Sequence, residues 1–467
     1  MIRGRFSASA SAVPVAWAAC LVLFLPLGAQ AHAFPERYDL PLPLGLYVAG
    51  AGAAVALSFL VAAALPPGPR PQRELTFHLP RLAGTLVAVV RVVAVLLLAL
   101  LLIAGFLGSR EHWDRNILPV VVWVWWWVGM TFACALIGDV WAVVDPWATV
   151  GRRLVGERPP PLRLPEWLGV WPAVAGFLAF AWIELVWPSN AMPDRLATAI
   201  LAYSLLTWTA MALFGVESWR EHGDVFALVF GLFGRFAPIS VRDGRLVLRP
   251  HGAGLRQPEP ATASLTALVL TVLATVSFDG IAETMAWLRV EGAAISWLYD
   301  RGGVHILGYV GAETLVRTAG LLAAPLALAA AYLAAAAIAA GIDGRPVAET
   351  AGRYALSLVP IAIGYHLAHY FSYLLIQGQD LWALLSDPLG RGWNLFGTRG
   401  HEVDIGGVDM RLVWLTAVGG IVAGHALAVQ VAHRCAIGLR GQLPIIVLMI
   451  AYTMLSLWIM AQPIARG

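Results

Sequence analysis

Ten windows of about 20 mostly apolar residues follow one another along this chain, near 43–65, 84–107, 117–138, 167–187, 196–216, 262–288, 314–340, 354–376, 412–432 and 443–463. In hydrocarbon such a run must satisfy its own backbone N–H and C=O groups. A helix does this alone, whereas a strand does it only inside a closed barrel. Windows this long are about twice the length of a barrel strand and predict an all-α fold, a polytopic transmembrane helix bundle of about ten helices. Composition agrees, with 59% hydrophobic and only 13% charged residues, against roughly 25% charged in a soluble domain. A net charge of +3 gives no sign of nucleic-acid binding. The chain has no lysine, which excludes a P-loop phosphate clamp and a pyridoxal Schiff base. Cys20, Cys134 and Cys435 are too widely spaced to form a thiolate metal motif.

The first 31 residues read as a secretory signal peptide: Arg3 and Arg5, then an apolar stretch, then Ala29-Gln30-Ala31 as a small-residue cleavage site. Cleavage leaves 32–467 as a single polytopic membrane domain that begins at His32, with an inner-membrane location and its amino terminus outside. Arginine placement supports that orientation. The loops after windows one, three, five, seven and nine carry most of them, including Arg152, Arg153, Arg242, Arg245, Arg249 and Arg434. The inner segment 217–260 contains SVRDGRLVLRP, whose alternation around Asp-Gly predicts a hairpin. The outer segment 377–409 is rich in Gly and Trp and is expected to cap a cavity. DPWATVGRRLVG and DVFALVFGLFGRF are candidates for interfacial or re-entrant pieces.

Ionisable residues at membrane depth are costly unless they meet a partner, a metal or a cavity, so they mark candidate sites. His366 and His369 stand one helical turn apart midway along the eighth window, and His425 lies in the ninth. Asp279 and Glu283 lie one turn apart in the sixth window, and Glu184 in the fourth falls at a similar height. Imidazoles with a carboxylate are a usual ligand set for a divalent transition metal, zinc above all, and an open coordination position would activate water. On this reading His366, His369 and His425 are metal ligands, Asp279 is a ligand or catalytic base, and Glu283 stands behind it. The alternative use of a membrane histidine is a hydrogen bond to the neighbouring helix. His32, as a new amino terminus, offers an amine and a ring nitrogen that suit copper. Two non-hydrolytic readings follow: metal-ion handling or transport, and a b-type haem held by His425 and one histidine of the eighth window.

Weaker signals are read structurally. Asp145-Pro146 starts a short helix. Glu217 forms an interfacial ion pair, and WVWWW at 123–127 is interfacial and packing aromatic. Arg91 snorkels or balances a buried carboxylate, and His433 faces lipid headgroups.

The stretches FLAFAWIELVW, MALFGVESWREHGDVFALVFGLFGRFAPISVRDGRLVLRP, SFDGIAET, YHLAHYFSYLLIQGQ, SDPLGRGWNLFG and GHALAVQVAH resemble those of bacterial polytopic membrane proteins known as fenitrothion hydrolases. The resemblance runs over most of the chain. It implies hydrolysis of organophosphorus triesters with release of a nitrophenol, and it assigns no residue a role. Such substrates are small, neutral and hydrophobic, so they would reach the site through the lipid bilayer.

Overall fold

The structure is a computed structural model that describes residues 44–462, apart from 65–67, 69–73, 80–82, 111–112, 157 and 258. The expected signal peptide at 1–31 and His32 lie outside the described residues. Ten described helices are long and apolar enough to cross a membrane: α1 Leu44–Ala63, α2 Ala83–Leu107, α3 Ile117–Leu136, α5 Glu166–Leu185, α6 Pro193–Phe214, α9 Ala263–Ala282, α11 Gly303–Asp343, α13 Val359–Ile376, α15 Met410–Cys435 and α16 Leu439–Met460. Shorter helices join them: α4 Pro146–Val155, α7 Val216–His222, α8 Val225–Phe236, α10 Met285–Asp300, α12 Val347–Ala355 and α14 Asp380–Ser386. The all-α polytopic bundle expected from the windows is the fold observed.

The loops report which crossings share an end of the bundle. The SVRDGRLVLRP stretch forms the expected hairpin, β2 Ile239–Arg242 and β3 Arg245–Leu248. Asp243 and Gly244 turn it at φ of +50° and +69°, the left-handed values that a two-residue hairpin requires. A third strand that the sequence did not announce, β1 Leu75–His78, pairs antiparallel with β3. It comes from the loop after the first span, so that loop and the one after the fifth lie at the same end. At the other end, Ser109 and Ile117 donate to the carbonyls of Leu389 and Pro388, which joins the loops after the second and eighth spans. Both junctions have the parity that ten alternating crossings demand.

The site helices are the enclosed ones. Of the apolar window in α9, 72% is buried, against 11% in α2, which is therefore peripheral. Helices α13 and α15 touch backbone to backbone: a Cβ on Gly364 would lie 2.5 Å from the Gly420 carbonyl oxygen, and one on Gly424 would lie 2.5 Å from the Pro360 oxygen. Two shorter features aim aromatic side chains inward. Residues 120–129 of α3 form a π-helical stretch, a widened geometry frequent at functional sites. It buries Trp127 and brings the Trp126 ring to 4.5 Å from Phe226. Within the WVWWW cluster, Trp126 and Trp127 are thus core packing, whereas Trp125 is 42% exposed. Helix α8, at 12 residues, is roughly 18 Å long, too short to cross. Most of its apolar residues are buried.

Asp145 fixes the segment between α3 and α4. Its Oδ1 accepts from the Ala148 N–H at 2.9 Å, as an N-cap should, and its Oδ2 accepts from Arg220 Nε at 3.3 Å. Arg220 also pairs with Glu217, which pairs with Arg152. Arg91 instead donates to the Val143 carbonyl. Burial, followed by the nearby Asp224 carboxylate, pushes the Asp145 carboxyl up to about 7. A pKa raised in the folded state contributes stability that is full below the unfolded value, near 4, and is lost as pH rises through 7. The thermal midpoint of the detergent-purified protein, followed by tryptophan fluorescence, should therefore fall between pH 5 and pH 8 by on the order of 5 °C. Asp145→Asn keeps the cap but has no proton to release, so it should flatten that slope. An equally steep slope in the variant would assign the pH dependence elsewhere.

Candidate functional site

Helix α13 presents Tyr365, His366, His369, Tyr370 and Tyr373, spaced one, four, five and eight residues from the first and so sharing one face. Helix α9 enters opposite, its first turn capped by the Thr262 hydroxyl and its last turn carrying Asp279. His369 Nε2 lies 2.8 Å from Asp279 Oδ2. The Tyr370 hydroxyl donates to the same oxygen at 2.6 Å and lies 3.3 Å from Glu184 Oε1 on α5. One phenolic hydrogen serves only one of these acceptors strongly at a time, so Tyr370 is the link through which the two carboxylates communicate. A carboxylate only accepts, hence Nε2 of His369 carries a ring hydrogen, and in the neutral ring Nδ1 keeps its lone pair. His369 makes no other hydrogen bond among the described residues, and its side chain is 21% exposed.

His366 goes elsewhere. The Tyr370 ring lies against both imidazoles, with centroids 4.6 Å from His366 and 4.7 Å from His369. His366 is instead boxed by Trp127 at 5.7 Å, Phe132 at 5.5 Å and Phe233 at 6.5 Å. It is 3% exposed, and its Nε2 is buried without a partner.

His425 stands apart from both. Its Nδ1 donates to the Ile421 carbonyl of its own helix at 2.8 Å, and its ring is tilted against Tyr452 with centroids 6.3 Å apart. The Tyr452 hydroxyl bonds Ser277. Glu283 caps the end of α9 through its backbone N–H, which donates to the Ile281 carbonyl, and no side-chain hydrogen bond or ion pair is formed by it among the described residues. His433 is buried and bonded to Gln442 rather than turned to headgroups.

Tyr370 lies against the rings of both His366 and His369, whereas His425 lies against Tyr452 of α16. Among the described residues no three His, Cys, Asp or Glu side chains are placed to hold one metal ion. The sites that do converge are His369, Asp279 and Glu184. Sequence reasoning missed Tyr370 and Trp127. The Tyr/His stripe of α13 was visible as spacing, whereas the inward turn of Trp127 depends on the π-helical stretch, which has no sequence signature here. No protein-family model matches this chain, and no curated protein or solved structure does either.

Proposed function

We propose that the protein is an intramembrane hydrolase of small, neutral, apolar esters, with organophosphorus triesters of the fenitrothion type as the substrate class, and that His369 is its general base. The observation that carries this reading is the His369–Asp279 pair. A carboxylate that fixes one ring nitrogen as a donor leaves the other basic, which is the arrangement a water-activating histidine needs. The resemblance contributes the reaction class. An apolar triester partitions into the bilayer and reaches the bundle from the side.

In the proposed step a water oxygen attacks phosphorus while His369 Nδ1 takes one of its protons. The P–O bond to the aryl group breaks, and the nitrophenolate leaves with the electron pair, so no general acid is required. Asp279 stabilises the imidazolium so formed, and the proton then passes to product or solvent. A zinc ion would supply Lewis-acid activation of water, but the described donors do not fit one, so no step is routed through a metal.

The test is release of nitrophenolate from an aryl phosphotriester by full-length protein in nanodiscs, before and after treatment with a chelator. The expected result is turnover that survives chelation. Loss of turnover, restored by added zinc, would replace the metal-free base with a metal centre, and absence of turnover in both samples would remove the hydrolase reading.

A further inference from the structure

A cavity adjoins the site, lined by Trp127, Glu184, Thr275, His366, Tyr370 and apolar neighbours. In it the centre of a water-sized sphere has about 20 Å³ in which to move. One water needs about 10–15 Å³ of such space and two to four polar partners. The cavity is therefore too small for an organic ligand or a hydrated metal ion. Its polar lining is unusually incomplete. His366 is enclosed, yet its ring Nε2 makes no hydrogen bond among the described residues, and a buried ring nitrogen left so is costly. The Thr275 hydroxyl donates to the Val272 carbonyl at 3.2 Å, which leaves its oxygen free to accept. Glu184 meets Tyr370 through Oε1 and stands beside the Trp127 indole, whose buried N–H makes no hydrogen bond among the described residues.

We infer that this cavity binds a single water molecule between the His366 ring, the Glu184 carboxylate and the Thr275 hydroxyl, completing one hydrogen-bonded chain: His366, water, Glu184, Tyr370, Asp279, His369. The two histidines of YHLAHY are thus the ends of one proton-conducting network rather than ligands of one metal. A proton arriving at Asp279 moves to Glu184 when Tyr370 accepts it on oxygen and releases its own phenolic hydrogen to Glu184, and Tyr370 is left unchanged. That relay rests on the proposed base at His369, whereas the water site does not.

Infrared spectroscopy of the full-length protein in D₂O and in D₂¹⁸O tests the water directly, since only O–D stretches of water shift with the oxygen isotope. The wild type should show an isotope-sensitive band of a bound water that is lost in His366→Phe and displaced in Glu184→Gln, each variant first shown to be folded by its thermal midpoint. Thr453→Val, which removes a buried hydroxyl bonded only to its own helix, should keep the band. A wild type without such a band, or a band unchanged in both His366→Phe and Glu184→Gln, overturns the inference. A wild type that has the band but no triester turnover leaves the water in place and removes only the hydrolase.

Discussion

Asp279→Asn should lower kcat/KM for aryl phosphotriester hydrolysis by about a hundred- to ten-thousand-fold, the range over which general-base catalysis acts. The substitution keeps the side chain's size but replaces an obligate acceptor. His369 Nε2 and the Tyr370 hydroxyl both meet Oδ2, so the amide oxygen can take that place and hold the ring. It carries no charge to stabilise the imidazolium, and the base is weakened although the ring stays in place. Glu283→Gln should cost less than about fivefold, because Glu283 makes no hydrogen bond or ion pair with the two residues and acts on them through its field. Nitrophenolate absorbance in nanodiscs measures both rates, and thermal midpoints establish that both variants are folded. Equal losses from the two carboxylates would contradict the separate roles assigned here.

Gly424→Leu should give the largest structural effect. At the α13–α15 crossing, the nearest atoms to a new Cβ are the Pro360 carbonyl oxygen at 2.5 Å, the Gly364 Cα at 3.3 Å and the Pro360 carbonyl carbon at 3.4 Å. All of these belong to the backbone, so no side chain can swing aside. Overpacking typically costs about 1–3 kcal/mol and more where the backbone must move. Small residues at such crossings are what allow membrane helices to approach closely. The variant should be recovered in low yield and aggregate on size exclusion, and whatever folds should lack activity, because α13 carries both histidines. Gly419→Leu is the control one helical step away, since a Cβ there meets nothing within 4 Å. It should behave as the wild type. Normal yield and activity from Gly424→Leu would mean that the crossing is looser than described.

The fold was legible because hydrocarbon allows so few solutions: apolar length alone locates the spans, and Asp-Gly alone locates the hairpin. The site was legible only in part. Burial of Asp279, His369 and Glu184 could be read from their depth, since a charge there needs a partner. Which partner could not. A turn's spacing on α13 places His366 and His369 on one face, but their surroundings differ, Asp279 for His369 and an aromatic box for His366, and nothing in a single sequence ranks those contacts. His425 was drawn into the same group by height alone, whereas rotation about the α15 axis points it at Tyr452. His433 looked interfacial by position, yet Gln442 arrives from α16 to pair with it. Each correction concerns how neighbouring helices are rotated and packed, which hydropathy does not encode.

The central claim is that His369, held by Asp279, activates water without a metal. The most direct measurement is kcat/KM of chelator-stripped wild-type protein in nanodiscs beside chelator-stripped, folded His369→Gln. A wild type that turns over and a variant slower by at least a hundredfold is the predicted result. Rates within about threefold of one another, relative to a general-base contribution of 10²–10⁴, would contradict it and move the chemistry away from the pair.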